Sequence, residues 1–158
     1  MGRRLALVLV ALGALAATPV PAQADITAFW GTSPTPSTRS ARGISGGVNL
    51  VIVGFEVEFA RTAENLAKGA PSLTTGMFNG VVQTPTRTQL YLTLGGGFFR
   101  ERLEGEGETM FGTNIGGGVK VPLAGPLRLR LDYRVFNLRG SPRYSTPQRF
   151  YAGVNLAF

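Results

Sequence analysis

The sequence alternates apolar and polar residues at every second position over several short segments. In the clearest of them Leu127, Leu129, Leu131, Tyr133 and Val135 alternate with Arg128, Arg130, Asp132, Arg134 and Phe136. Successive side chains of a β-strand point to opposite faces, so this period of two predicts a strand with one apolar and one charged face. The 22 glycines argue against long helices. The chain is therefore predicted to be all-β.

Eight such segments follow one another, separated by turn residues: 26–31, 42–52, 55–61, 76–84, 88–100, 109–123, 127–136 and 150–158. The connections after the second, fourth and sixth segments are short, near residues 53–54, 85–87 and 124–126. Those after the first, third, fifth and seventh are longer and more polar. They include residues 63–75, with one helical turn predicted over 62–68, and a loop over 102–108. Short turns that alternate with long loops are typical of an up-and-down outer-membrane barrel.

The N-terminus has the pattern of a secretory signal peptide. Arg3 and Arg4 precede an apolar run over residues 5–17, and the small residues Ala22 and Ala24 fit a cleavage site. We predict a signal peptide over residues 1–24 and one domain over residues 25–158. The apolar run is too short for a stable membrane-spanning helix, and no later segment reaches 18 consecutive apolar residues. Insertion of the mature chain into a membrane would therefore require a closed barrel.

The residue types that are missing exclude several kinds of chemistry. The chain has no cysteine and no histidine, which removes disulfides, thiolate metal sites and the commonest general base. The glycine runs 95–97 and 116–118 lack the Lys-Ser/Thr of a phosphate-binding loop. Glu56 and Glu58 share a strand face, but the abundant arginines favour ion pairing over acid–base catalysis. We predict no enzyme, no metal and no cofactor, and the scattered basic residues argue against nucleic-acid binding.

Two kinds of barrel fit the alternation, and they differ in which face is inside. A membrane barrel turns its apolar side chains to lipid and its polar ones to the lumen. A soluble lipocalin-like carrier has an apolar interior. Charges of both signs in mid-strand favour the first, because opposite charges in a narrow lumen can pair. The predicted lumen charge network is Glu56, Glu58, Lys120, Arg128, Arg130, Asp132 and Arg134.

The last ten residues, Arg-Phe-Tyr-Ala-Gly-Val-Asn-Leu-Ala-Phe, close the chain on Phe158. This strand resembles the terminal strand of outer-membrane β-barrels, and residues 25–158 as a whole are similar to small eight-stranded OmpA/OmpX-type outer-membrane domains. The resemblance implies a closed antiparallel up-and-down transmembrane β-barrel in the outer membrane. It also implies that the barrel-assembly machinery reads the last strand during biogenesis. The residues of that assembly signal are Phe150, Val154, Leu156 and Phe158.

Nine basic residues lie in or beside the four longer loops: Arg39, Arg42, Arg61, Lys68, Arg100, Arg102, Arg139, Arg143 and Arg149. In an outer-membrane barrel those loops face outward, next to lipopolysaccharide. Arginine binds phosphate well, bidentately where the geometry allows. We therefore expect these residues to contact lipopolysaccharide, with simple solubilisation of the loops as the alternative.

Three functions remain open at this point. The first is a structural or surface-interaction barrel, because eight strands enclose an interior that side chains can fill. The second is a narrow porin-like channel for small polar or anionic solutes, lined by the arginines of the seventh strand. It would need Gly43, Gly47, Gly116 and Gly118 to leave room for water. The third is a soluble periplasmic carrier, which would need the apolar faces inside.

Overall fold

The structure, a computed structural model, describes residues 22–104 and 106–158. Eight antiparallel strands follow one another around a closed barrel, because each pairs with its neighbours in sequence and β1 also pairs with β8. The strands are β1 (Ala22–Ser33), β2 (Arg39–Leu50), β3 (Val53–Thr62), β4 (Ser72–Gln83), β5 (Gln89–Leu103), β6 (Glu106–Ala124), β7 (Leu127–Leu138) and β8 (Gln148–Ala157). A 3-10 turn over Leu66–Lys68 lies between β3 and β4. Within the described ranges, no helix is long and apolar enough to cross a membrane.

The predicted fold class and all eight predicted strands are confirmed. The ring closes where β1 meets β8: residues 25–32 of β1 pair with residues 150–157 of β8. A closed ladder leaves no strand edge unpaired. In a lipid environment this matters more than in water, because no solvent is present to satisfy free N–H and C=O groups.

The turn between β2 and β3 lies at residues 51–52, two residues earlier than predicted. The prediction near residues 53–54 followed Gly54, but this glycine lies within β3. A Cβ atom at Gly54 would lie 2.3 Å from Oδ1 of Asn49 on the paired strand. A glycine is needed at position 54 because the Asn49 side chain lies against it inside the barrel. Gly54 is not part of a turn.

The predicted loop over residues 102–108 is wrong. β5 and β6 remain paired as far as Leu103 and Glu106, so the hairpin projects well beyond the other strands. The charged residues and glycines of this segment suggested a loop. Exposed Arg102, Glu104 and Glu108 explain the error, because a projecting ladder is solvated on both faces and needs no apolar alternation.

The two faces of the barrel have opposite chemistry. Leu90, Leu92 and Leu94 of β5 point outward and are 60 %, 70 % and 65 % exposed, whereas Arg130 and Arg134 are 0 % exposed. An outer surface of this composition is stable against lipid and unfavourable against water. The membrane-barrel interpretation is confirmed, and the soluble carrier, which needs an apolar interior, is wrong.

The predicted signal peptide lies mostly outside the described residues, which begin at Ala22. Residues 22–24 pair with residues 48–50 of β2. Gln23 also accepts a hydrogen bond of 3.1 Å from the guanidinium of Arg128. Cleavage after Ala24 would therefore shorten β1, whose first mature residue would be Asp25.

We expect Leu94→Arg to destabilise the folded barrel by about 2–4 kcal/mol, because this residue points outward near mid-strand and a cation there must enter the hydrocarbon. Thr88→Arg, in the exposed β4–β5 turn, is the matched control and should leave stability nearly unchanged. Urea unfolding in phospholipid vesicles measures both. Equal stability of the two variants would show that Leu94 faces water.

Candidate functional site

The centre of the barrel holds a network of ion pairs between β7 and β3. Arg130 pairs with Glu56 and lies 3.2 Å from Asp132. Arg134 lies 2.8 Å from Glu56, 3.0 Å from Glu58 and 2.9 Å from Asp132. All five side chains are buried. The alternation of β7 sends Arg130, Asp132 and Arg134 to the same face, and that of β3 does the same for Glu56 and Glu58.

Two more ion pairs extend this network towards both ends of the barrel. Near the short turns, Nζ of Lys120 on β6 lies 2.6 Å from Oδ2 of Asp25 on β1. Asn49 donates a hydrogen bond of 3.0 Å to the same carboxylate. Towards the longer loops, Arg149 of β8 pairs with Glu58. Buried cations and carboxylates therefore alternate along the interior, which lowers the cost of removing each charge from water.

Aromatic rings pack against the buried guanidinium groups. The Arg130 guanidinium lies 4.7 Å from the Tyr91 ring centroid, and its Nε donates to the Tyr91 hydroxyl at 2.8 Å. Arg149 lies 5.3 Å from the ring centroid of Phe29 and 4.9 Å from that of Phe136. Phe29 in turn stacks on Tyr151, with centroids 3.9 Å apart. Cation–π contacts of this kind stabilise charges that have lost their water.

An apolar cluster fills the interior on the loop side of the ion pairs. It consists of Leu73, Met77, Phe99, Phe136 and Leu138. Above it, Arg39 is buried, and its guanidinium donates to the carbonyls of Thr35 and Pro71. This side chain ties the β1–β2 loop to the β3–β4 loop. From the short turns to the longer loops, the interior thus passes from ion pairs to packed hydrocarbon.

Glycines on the inner face make room for the largest interior side chains. A Cβ at Gly116 would lie 2.7 Å from Cγ of Arg134, and one at Gly118 would lie 2.6 Å from the Tyr91 hydroxyl. At Gly43 it would meet the Phe29 ring at 2.5 Å. The space that these glycines leave is therefore filled by protein atoms. The channel hypothesis expected water there.

The structure brings together six of the seven residues predicted for the lumen network. Arg128 stands apart, because it is half-buried and donates to the side-chain oxygens of Gln89 and Gln23 at 2.7 and 3.1 Å. The sequence reasoning missed Asp25, which follows the predicted cleavage point, and Arg149, which was assigned to a loop edge. The inward alternation of Arg149 with Tyr151 in the last strand was the signal that could have identified it.

The arrangement leaves Glu56, Glu58 and Asp132 in contact with arginine, and a carboxylate held in this way is a poor proton carrier. Over the described parts of the chain, no group of three potential metal ligands is found. The contacts of these carboxylates with Arg130 and Arg134 compensate the buried charges.

Seven of the nine basic residues expected to contact lipopolysaccharide are exposed: Arg42, Arg61, Lys68, Arg100, Arg102, Arg139 and Arg143. The other two are corrections. Arg39 is bound to loop carbonyls, and Arg149 is paired with Glu58 inside the barrel. Both side chains are buried and so cannot reach a lipid headgroup. The last strand carries Phe150, Val154, Leu156 and Phe158 on its outer face, all exposed.

Several solved outer-membrane barrels share this architecture. The N-terminal β-barrel domain of Pseudomonas aeruginosa OprF has a TM-score of 0.66 and 16 % sequence identity, covering 86 % of this chain and 97 % of its own. Neisserial surface protein A has a TM-score of 0.64 and 19 % identity, covering 87 % and 96 %. Ail of Yersinia pestis, in complex with the heparin analogue sucrose octasulfate, has a TM-score of 0.54 and 12 % identity, covering 87 % and 97 %.

This chain has the fold of a small eight-stranded outer-membrane β-barrel. At these identities the similarity is one of fold. No family model and no curated protein sequence matches the chain. The resemblance expected from the last strand is confirmed at the level of architecture.

Glu56 contacts both central arginines, so we expect Glu56→Ala to lower the free energy of unfolding by about 3–5 kcal/mol, the usual cost of leaving a buried charge without its partner. Glu64→Ala, which removes an exposed loop carboxylate, should change it by less than about 0.5 kcal/mol. Urea unfolding in vesicles compares the two. A loss for Glu56→Ala no larger than that for Glu64→Ala would contradict the buried network.

Proposed function

We propose that this protein is a non-conducting outer-membrane barrel with a structural or surface-interaction role. The observation that carries the proposal is the filled interior. Ion pairs cross it from β7 to β3, and an apolar cluster lies between them and the loops. An eight-stranded barrel is just wide enough for side chains to fill.

The proposed absence of conduction follows from the cost of opening this interior. A hydrated ion would have to separate Arg134 from Glu56 and Glu58, or pass between packed side chains such as Met77 and Phe99. Breaking a buried ion pair costs several kcal/mol. A packed apolar cluster adds a second barrier, because it holds no group that could replace the water around an ion.

The exterior is the part of the protein that is available for interactions. Seven exposed basic residues lie towards the loop end, and we propose that they contact lipopolysaccharide in the outer leaflet. Arginine is suited to this role because its planar guanidinium binds phosphate oxygens bidentately. Ail, a barrel with the same fold, has been solved in complex with the polyanion sucrose octasulfate.

Export and assembly complete the proposal. Residues 1–24 would direct export and be removed, and the barrel-assembly machinery would read the last strand through its outward residues. Their exposure is consistent with this role, since Phe150, Val154, Leu156 and Phe158 are 51 %, 53 %, 40 % and 65 % exposed.

We expect the mass of the protein isolated from outer membranes to correspond to a chain that begins at Asp25, because signal peptidase cleaves after a small residue preceded by another two positions earlier. Intact-mass spectrometry measures this directly, and Ala24→Tyr, which removes the small residue, should accumulate the precursor. A mature chain that retains residues 1–24 would contradict the predicted signal peptide.

In planar lipid bilayers we expect no steady conductance from the folded wild-type protein, since the interior is filled. Protein whose gel mobility changes on boiling is used, so that a silent bilayer cannot be due to unfolded material. Arg130→Ala is recorded in parallel. A steady wild-type current whose ion selectivity changes in Arg130→Ala would instead favour the narrow channel.

A further inference from the structure

Three arginines form a row across the outer face of neighbouring strands, near the loop end of the barrel. Arg42 of β2 is directly opposite Arg61 of β3. Arg61 is opposite Thr74 of β4, which is opposite Arg100 of β5. All four side chains are exposed. We call Arg42, Arg61 and Arg100 the arginine row.

No carboxylate in the described part of the chain forms a salt bridge with Arg42, Arg61 or Arg100. Glu64 lines the same surface cavity as Arg42 and Arg61 but does not pair with either. Like charges directly opposite on a sheet repel each other. The row therefore carries an electrostatic cost that a bound anion would remove.

An apolar groove lies directly below the arginine row. In the next outward row of residues, Gly76 of β4 is opposite Phe59 of β3 and Phe98 of β5. The groove has a volume of about 450 Å³ and reaches Arg100. The two rings form its walls, at 59 % and 65 % exposure. A Cβ at Gly76 would lie 3.3 Å from the Phe59 ring, so the floor is open because this residue is glycine.

A second cavity, the upper cavity, lies above the groove, on the loop side of the row. It has a volume of about 820 Å³, and its lining includes Trp30, Arg42, Arg61, Ser72 and Arg102. The surface thus passes from an apolar groove to a row of cations, two of which also line the upper cavity. An amphiphile whose acyl chains are attached to a phosphorylated headgroup has the same order, from an apolar end to an anionic end.

We propose that this surface is a binding site for one molecule of lipid A, the phosphorylated glycolipid that anchors lipopolysaccharide. One acyl chain would lie over Gly76 between Phe59 and Phe98. One phosphate of the sugar headgroup would lie between Arg61 and Arg100, and the rest of the headgroup would extend towards Arg42 and the upper cavity. The inference rests on the proposed orientation of the loops towards the outside of the cell.

The width of the row favours this lipid over a phospholipid. Arg42 and Arg100 are separated by three strand spacings, or roughly 14 Å at about 4.8 Å per strand. One phosphate group cannot bridge that distance, whereas a headgroup with more than one phosphate can contact both ends. A single-phosphate lipid would leave at least one arginine of the row without a counter-charge.

Lipid binding to this surface can be measured by the fluorescence of Trp30. It is the only tryptophan of the chain, is 71 % exposed and lies opposite Arg42. Folded protein in a neutral detergent is titrated with diphosphorylated lipid A, with lipid A lacking both phosphates, and with phosphatidylglycerol. We expect a saturable change in the fluorescence emission of Trp30 with diphosphorylated lipid A. The other two should bind at least about tenfold more weakly, because they lose charge-assisted hydrogen bonds.

Matched variants test the two halves of the site. Arg61→Ala and Arg100→Ala should each raise the Kd for diphosphorylated lipid A about tenfold. Arg87→Ala, an exposed arginine in the β4–β5 turn at the opposite end, should not change it. Gly76→Leu should raise the Kd severalfold by filling the groove. Gly80→Leu, also outward on β4 and beside Phe55, should not.

Equal binding of dephosphorylated lipid A would overturn phosphate recognition, and equal binding of phosphatidylglycerol would overturn the choice of lipid A. An effect of Gly80→Leu as large as that of Gly76→Leu would overturn the acyl-chain groove. Outer-membrane fractionation and heat-modifiable gel mobility are measured with the same protein. If these fail, the proposed function fails. If they hold and lipid A does not saturate the protein, only the lipid site is wrong.

Discussion

Charge compensation around Arg130 and Arg134 is the interaction on which the interior of this barrel depends. Both side chains are fully buried, so protein groups must replace the water that their charges would otherwise bind. Glu56 and Glu58 supply negative charge from β3, which lies on the opposite side of the eight-stranded ring. The pairs therefore cross the barrel. They require the ring to be closed, because only closure brings β3 and β7 within reach of each other.

The narrow interior accepts these large side chains because glycines face them. Gly116 lies opposite Arg134 in the ladder between β6 and β7, and Gly118 leaves space for Tyr91. Because side chains fill the interior, both the proposed surface role and the proposed lipid site lie on the outer surface. There the apolar side chains face lipid, and the arginine row lies near the loop end of the barrel.

The alternation of apolar and polar residues made the strands predictable. It gave the eight strands and the inward position of Glu56, Arg130 and Arg134, because the strand period of two needs no knowledge of tertiary contacts. The same logic failed for residues 102–108, where a solvated hairpin has no apolar face to reveal it. It also failed for Arg39 and Arg149. A basic residue beside a loop looks exposed until the carbonyl or carboxylate that binds it is known.

The sequence by itself determined that the chain forms strands, that each has one apolar and one polar face, and which side chains share a face. These are local properties of an extended backbone. Only the tertiary structure decided which charge pairs with which, that Lys120 meets Asp25 and Arg149 meets Glu58, and that Arg42, Arg61 and Arg100 form one row. Those partners lie far apart in the chain or on different strands, so their contacts depend on barrel closure and on the register of each pair of strands. Alternation excludes a slip of one residue, which would exchange the two faces, but it does not distinguish registers that differ by two residues.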